Sequence, residues 1–583
     1  MNPSLKAIDP HYLRQEIAGV DSTFTTPFGE RLMVYCDYTA SGRCLRFVES
    51  YLQSLQRVYA NTHTEDDITG RSMSQLLHDA ETAIKQSVNA GPDGCIIACG
   101  TGATGAIDKL QQIVGVALPP ATRARIFGAV DDEASGIDGA TFRALLENTQ
   151  PVVFVGPYEH HSNELTWRQS LATTTEVRLD AKGGVDLGHL EELLADPRYQ
   201  GRLKIGSFSA ASNVTGVLTD VHAISSLLHR YGAIACFDYA ACAPYVDIDM
   251  NPEPAGPGDD PSIDAIFISP HKFLGGPGSS GVLVFNQRIY DRSLPPTVSA
   301  GGTVDYVSMT EQDFIKDIEE REKAGTPGVL QTLKAALAFE VKDRVGVDLI
   351  RSREHELTAR AMQSWAENDA IEILGTPDPS RRIGIVSFNI RCTDGKYLHH
   401  KLVTALLNDL FGIQSRAGCS CAGPYGHRLL GIDEEVSEQY RHAVQGGYCG
   451  IKPGWCRVGF HWVMDDLETD YVIDAVHFIA DHGHRFLALY DFDLSTGTWT
   501  HRDATDNLPL FSLDAAVSAG AEEPASISDE LRKQLYDHYL TEARRVVEAL
   551  APGTVERASL PTSSLEDLRF FSMPEGSRVR KDN

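Results

Sequence analysis

Lys272 stands in the run Ser269-Pro270-His271-Lys272-Phe273-Leu274-Gly275-Gly276-Pro277-Gly278, beside a serine, a histidine and several glycines. The run lies between two apolar stretches, Ile263-Asp264-Ala265-Ile266-Phe267-Ile268 and Ser280-Gly281-Val282-Leu283-Val284-Phe285, each with the length and composition of a buried strand. A lysine held there is solvated, paired or covalently used. An amine that can lose its proton forms a Schiff base with a carbonyl, and burial beside other cationic groups favours that loss. Glycines let the backbone come close to a ligand. The segment alone therefore supports two readings: a glycine-rich surface hairpin with a solvated lysine, or a lysine that carries pyridoxal 5'-phosphate.

The second reading makes physical demands that other residues must meet. A phosphate wants backbone N–H groups at a helix N-terminus. A pyridinium nitrogen wants a carboxylate that keeps it protonated, so that the ring can accept electrons. The ring itself wants a stacking partner. Gly100-Thr101-Gly102-Ala103-Thr104-Gly105 follows the apolar run Cys95 to Cys99 and opens a helix, so it suits the phosphate; no Gly-Lys-Ser/Thr follows, so it is not a Walker A loop. Asp238 ends the run Ala233 to Phe237, where it is either a carboxylate aimed at a ring nitrogen or a turn residue. Glu159-His160-His161-Ser162-Asn163 follows Pro151 to Val155, and its paired histidines fit a metal site, a stacking ring or a capped loop. With no third ligand nearby, metal is set aside. Asn213 adds a polar group after Ser209-Ala210-Ala211-Ser212.

Together these positions resemble the fold-type I pyridoxal-phosphate enzymes of the class V aminotransferase and cysteine desulfurase family, in particular the branch with selenocysteine lyases. The resemblance covers roughly residues 30 to 465. It implies that His160 stacks on the cofactor ring, that Asp238 pairs the pyridine nitrogen, and that Gly102, Ala103 and Thr104 with Ser269 and His271 take the phosphate. It also implies that Lys272 forms the Schiff base, that Asn213 contacts cofactor and substrate, and that Thr326, in Ala324-Gly325-Thr326-Pro327, reaches the phosphate of a dimer partner. Asn61-Thr62-His63-Thr64 resembles the substrate-side loop. One departure stands out. The family's Asp-x-Ala-Gln or Asp-x-Ala-His is here Asp238-Tyr239-Ala240-Ala241, and Ala241 cannot contact the ring oxygen.

A second cluster lies further along. Ser415-Arg416-Ala417-Gly418-Cys419-Ser420-Cys421-Ala422 resembles the segment in which a desulfurase cysteine takes sulfur from the substrate, which maps to Cys421. Arg416 beside it would favour a thiolate. Arg457, in Trp455-Cys456-Arg457-Val458-Gly459, maps to the arginine that clamps the substrate carboxylate, a task suited to a bidentate guanidinium. Three other readings stay open. Cys419, Cys421, Cys449 and Cys456 have an irregular zinc-like spacing; the closely spaced pair is a tight-loop packing feature; or the cysteine is a relic within an aminotransferase, an epimerase or another carbon–sulfur lyase.

Residues 90 to 285 alternate short apolar runs with amphipathic stretches such as Ala103 to Val116 and Val221 to Tyr231. That pattern predicts an α/β fold with a large, mostly parallel sheet, whose ligands gather at the carboxyl ends of the strands. Asn251 to Pro261 reads as a loop and Val329 to Val345 as a helix. A strand at Ile383 to Ile390 and a helix at Leu398 to Phe411 belong to a smaller α+β unit, and Ser526 to Ala551 reads as an amphipathic helix before a basic tail at Arg578 to Lys581. The expected divisions are a segment 1–29, a large domain 30–325, a small domain 326–485 and an extension 486–583 without a legible motif.

Composition narrows the classes. With 583 residues, 42% of them apolar, the chain can bury a large core, and its net charge of -28 argues against nucleic acid as a main partner. No apolar run of about 18 residues spans a membrane, and the first residues lack signal-peptide regions. Eleven cysteines without a secretory signal are no disulfide framework, and a cytoplasmic location is expected. The expectation is a homodimeric enzyme that removes sulfur from cysteine or a related amino acid, with a possible sulfur-acceptor protein. The alternatives are a pyridoxal-phosphate enzyme acting without sulfur transfer, and a catalytically silent relative that serves as an interaction protein.

Overall fold

The computed structural model describes residues 8–62, 64, 66–132, 136–505, 511–518, 526–550 and 560–573. His63 and the basic tail lie outside the described residues. The chain divides into two compact units, one built on Ala40–Arg351 and the other on Asp9–Thr39 with the described residues from Ser352 onward.

The first unit is organised by a seven-stranded sheet of β1 (Gly94–Ala98), β2 (Val152–Val155), β3 (Thr173–Glu176), β4 (Lys204–Ser209), β5 (Ile234–Asp238), β6 (Ala265–Ile268) and β7 (Val282–Asn286). Their order is β1-β7-β6-β5-β4-β2-β3. Strands β2 to β6 pair in parallel, and β7 runs antiparallel to both β1 and β6. Every residue of β2 and β6 is buried, as strands covered on both faces require. Helix α1 (Gly102–Ile113) packs on β6 and β7, burying Ala103, Ala106, Ile107 and Leu110 at helical spacing. Helix α2 (Val329–Val345) packs against the helix Ile68–Ser87 and stops at Gly346, whose φ of +88° suits glycine.

The segment from Ser269 to Gly281 joins antiparallel neighbours, so it is a hairpin connection in topology. It is not a solvated one. Phe273 and Leu274 are buried, and a Cβ on Gly276 would overlap the Pro270 carbonyl.

In the second unit, β8 (Ile371–Ile373), β9 (Ile385–Arg391), β10 (Arg416–Gly418) and β11 (Trp455–Gly459) form an antiparallel sheet ordered β8-β9-β11-β10, with Tyr397–Leu398 pairing β9. Helix α3 (His400–Phe411) lies on β10 and β11. The N-terminal strand Val34–Tyr35 pairs in parallel with Ile413–Gln414. Beyond residue 486 come a hairpin of Tyr490–Asp493 with Thr498–His501 and helix α4 (Asp529–Ala549).

The segment 9–39 and helix α4 are both built into this unit. Arg532 of α4, fully buried, bonds Asp465 Oδ2 at 2.5 Å, and Arg14 bonds Asp21 at 3.2 Å and Glu468 at 2.9 Å. Tyr536 stacks on Tyr471 with ring centres 4.0 Å apart. The contact division falls at Arg351, against the expected 325/326, because α2 packs on first-unit helix Ile68–Ser87. Segment 9–39 and the extension share one unit with the α+β sheet for the ionic and aromatic reasons just given.

Gly281 illustrates how tightly the first unit is closed: a Cβ there would overlap the Gly102 backbone. Gly281→Ala is expected to lower stability in denaturant titration by about 3 kcal/mol. Gly301→Ala, whose Cβ meets nothing within 4 Å, should leave stability within about 0.5 kcal/mol of wild type.

Candidate active site

The carboxyl ends of five strands gather the first unit's polar residues. The Gly100–Thr104 turn follows β1, Glu159–Asn163 follows β2, Asn213 follows β4, Asp238 ends β5, and Ser269–Lys272 follows β6. Gly102 has φ +61°, and a Cβ on it would sit 2.8 Å from Ser269 Oγ. The Ala103 N–H donates to that same Oγ (2.8 Å), and the hydroxyls of Thr104 and Ser162 are 2.7 Å apart. The Gly100–Thr104 turn and the lysine segment are thus bonded together, and the Ser162 bond ties in the histidine loop. Lys272 closes a short 3-10 turn, and the neighbouring His271 carbonyl accepts from the Gly42 N–H at 2.8 Å. Burial, then the Lys272 charge, pushes His271 down to about 4, so its ring is neutral.

His160 Nδ1 accepts from the Ser162 N–H (3.1 Å), which puts the proton of the neutral ring on Nε2. Asp238 is buried; its Oδ1 accepts from the Ala240 N–H at 2.8 Å. Burial pushes this carboxyl up, and the Ala240 bond and the Lys272 charge oppose that push. A cationic N–H group set against it would relieve the cost of keeping a carboxylate in the interior. The donor set and the close-packed turn therefore fit a phosphate-bearing pyridinium. Asn213 is buried, and Ala241 contributes only a buried methyl. Thr326 is exposed, with its hydroxyl accepting from Asn61 Nδ2 at 3.3 Å.

Three buried titratable groups escaped the sequence reading as site residues. Glu159 accepts from the N–H groups of Gly156 (3.1 Å) and Ser209 (2.8 Å), and burial pushes it up to about 8. Cys242 feels the charges of Asp238, Lys342 and Lys272, although burial raises it most. Lys342 is pushed down to about 8 by burial, and its Nζ donates to the Val246 carbonyl at 2.5 Å. A signal for Lys342 was present: it continues the buried helical series Ala335, Ala338, Phe339.

In the second unit, Arg457 on β11 is 3% exposed and lies opposite Arg416 in the β10 register. Arg457 Nη2 donates to Asp37 Oδ1 (2.9 Å), and Arg416 Nε donates to Asp37 Oδ2 (3.0 Å). Two cations share one carboxylate. Asp37 was missed because an acid after a short apolar run carries no pattern of its own. Arg416, expected to serve a Cys421 thiolate, is engaged by Asp37. Cys421 is exposed on a loop where both Ser420 (φ 50°) and Cys421 (φ 56°) are left-handed, a conformation costing non-glycine residues about 1 kcal/mol each. Cys419 is half-buried and Cys449 exposed, while Cys456 is buried and pushed up to about 11. Among the described residues no three His, Cys, Asp or Glu side chains converge as metal ligands, and no helix is long and apolar enough to cross a membrane.

The family model for aminotransferase class-V matches residues 141–472, more than half of the chain. This chain belongs to the class-V aminotransferase family. A probable cysteine desulfurase of Halalkalibacterium halodurans is 28% identical over 55% of this chain and 74% of its own length. One from Staphylococcus aureus is 31% identical over 47% of this chain and 61% of its own length. Among solved structures, the cysteine desulfurase of Thermococcus onnurineus covers 77% of this chain and 95% of its own at 20% identity and TM-score 0.59. The cysteine desulfurase CsdA of Escherichia coli covers 82% and 99% at 20% identity and TM-score 0.58. The fold is the one those structures share. The matched family segment ends before the hairpin Tyr490–His501 and α4.

Two measurements follow from these charges. Asp37→Ala leaves the buried Arg457 without its carboxylate and should cost about 3 kcal/mol in denaturant titration of the second unit. Glu159 holds its proton to about pH 8 in the folded chain against an ordinary value of 4.5. The stability it contributes is therefore complete at acid pH and lost as pH rises through about 8. Between about pH 5 and pH 8, the melting temperature of Glu159→Gln should fall less steeply than that of wild type.

Proposed function

We propose that this chain removes sulfur from cysteine or a related amino acid, with pyridoxal phosphate held on Lys272 and Cys421 receiving the sulfur. The observation that carries this reading is the buried Asp238 in the field of Lys272, beside a turn bonded to Ser269. The names of its relatives agree with it.

Gly102, Ala103 and Thr104, at the first turn of α1, with Ser269 and His271, would take the phosphate; Asp238 would take the ring N–H, and His160 would present its ring face. Pyridoxal phosphate supplies, when bound, a sink for the electrons that develop at the substrate α-carbon. Lys272 Nζ removes and returns the proton at that carbon. Asn213, buried after β4, orients the substrate. Arg457 takes the substrate carboxylate, for which a planar guanidinium is shaped. The Cys421 thiolate attacks the substrate sulfur. A sulfur–sulfur bond forms and the carbon–sulfur bond breaks, its electron pair staying with the carbon, which is protonated and leaves as alanine. The Cys421-bound sulfur then passes to an acceptor thiol or protein. Thr326 serves the phosphate site of a second copy, which makes the working form a homodimer, and the reaction is a cytoplasmic one.

The purified chain with pyridoxal phosphate should show a visible absorbance band that Lys272→Ala abolishes. Given cysteine, it should release alanine in step with sulfur delivered to a thiol. Cys421→Ser should keep the band and lose about 100-fold or more of that release, a transition-state loss of about 2.7 kcal/mol. Full turnover by Cys421→Ser would sink the sulfur-transfer step, and a wild-type chain without the band would sink the whole reading.

A further inference from the structure

His160 sits inside a closed polar loop. Asn163 Nδ2 donates to Glu159 Oε2 at 2.7 Å, joining the residue before His160 to the residue three positions after it. The direction of that bond is fixed from behind. Asn163 Oδ1 already accepts from Trp167 Nε1 (3.1 Å) and Ser207 Oγ (2.6 Å), so only the amide nitrogen can face Glu159. Glu159 is anchored in turn. Its Oε1 takes the N–H groups of Gly156 and Ser209, at the ends of β2 and β4, and its Oε2 shares a hydrogen with Ser209 Oγ at 2.6 Å. Glu159, Asn163, Ser207 and Trp167 are all buried.

We propose that Glu159 is the positioning residue for His160: by accepting from Asn163 it closes the loop that sets the histidine ring where the cofactor ring must lie. The inference rests on the proposed function and adds to it a residue that acts through His160. The arrangement works in either protonation state. Oε1 keeps its two backbone donors, and the hydrogen between Oε2 and Ser209 lies on whichever oxygen holds it, leaving Oε2 free to accept from Asn163. The rise of Glu159 to about 8 follows from burial, with the nearby Asp238 charge adding to it. The Asn163 bond is the one link that a glutamine at 159 cannot make. With its oxygen kept on the two backbone N–H groups, its nitrogen would face the Asn163 nitrogen, donor against donor. Turning Asn163 over would strand Trp167 Nε1 and Ser207 Oγ instead.

The geometry supplies its own rescue. In Glu159→Gln with Asn163→Asp, the glutamine nitrogen donates to the new carboxylate, which still accepts from Trp167 and Ser207. Polarity across the bond is reversed and the loop is closed again. The test is titration of the purified full-length chain with pyridoxal phosphate, followed by its lysine-dependent visible band, with circular dichroism to verify folding. Glu159→Gln should bind pyridoxal phosphate about tenfold or more weakly, the scale of one buried hydrogen bond lost, and the position of the band should shift. The double variant should recover affinity and band position to within about threefold of wild type. An unchanged affinity and band in folded Glu159→Gln would overturn the proposal. So would a double variant that folds yet stays as weak as the single one. A wild-type chain that shows no band at all would instead fell the proposed function, so the two failures are told apart.

Discussion

The backbone at Gly102 lies so close to the Ser269–Gly281 segment that neither Gly102 nor Gly281 has space for one more carbon. This contact welds the first turn of α1 to the connection between β6 and β7. It sets the sheet edge too, because β7 must run antiparallel to both β1 and β6 for Gly281 to arrive there. The proposed phosphate turn and Schiff-base lysine would need a fixed separation, and backbone contact fixes it here. Ser269 completes the join: its hydroxyl accepts from Ala103 and lies against Gly102.

Burial then does the electrostatic work. Asp238, Glu159, Cys242 and Lys342 are all removed from water, and in each the charged form is penalised first by that removal. The charges of neighbours act in the second place: Asp238 on Glu159, Lys272 on Asp238, and Asp238, Lys342 and Lys272 on Cys242. A group of this kind costs stability unless each member finds a partner, and the partners supplied are backbone N–H groups, serine hydroxyls and the Val246 carbonyl. The sites at which this cost is accepted are the strand ends, where an α/β sheet offers unsatisfied backbone donors.

Much of this was legible from residue order. The strands carrying Asp238 and Lys272 are unbroken apolar runs ended by polar residues, and α2 begins and ends where its pattern does. What stayed illegible has a common cause. Glu159 reads as one more acid in a polar loop, and its importance lies in Ser209, fifty residues away in sequence. Asp37 is likewise defined by Arg416 and Arg457, far downstream. Residues 9–39 look peripheral in the sequence because their burial comes from long-range ionic pairing, and the helical period of α4 (buried Arg532, Tyr536, Tyr539, Ala543 and Val547) does not name the distant residues it meets. Local pattern reports on elements; it is silent on which distant side chain will satisfy a buried charge.

The second unit shows the same logic turned toward a ligand. A guanidinium as buried as Arg457 is costly, and Asp37 offsets that cost while accepting from Arg416 as well. Beyond β10, the left-handed backbone at Ser420 and Cys421 holds the thiol out on an exposed loop at an energetic cost that packing alone would not select. The unit thus pairs a buried arginine held by Asp37 with an exposed thiol on a strained loop, and strain of that kind persists only where the surrounding structure holds it.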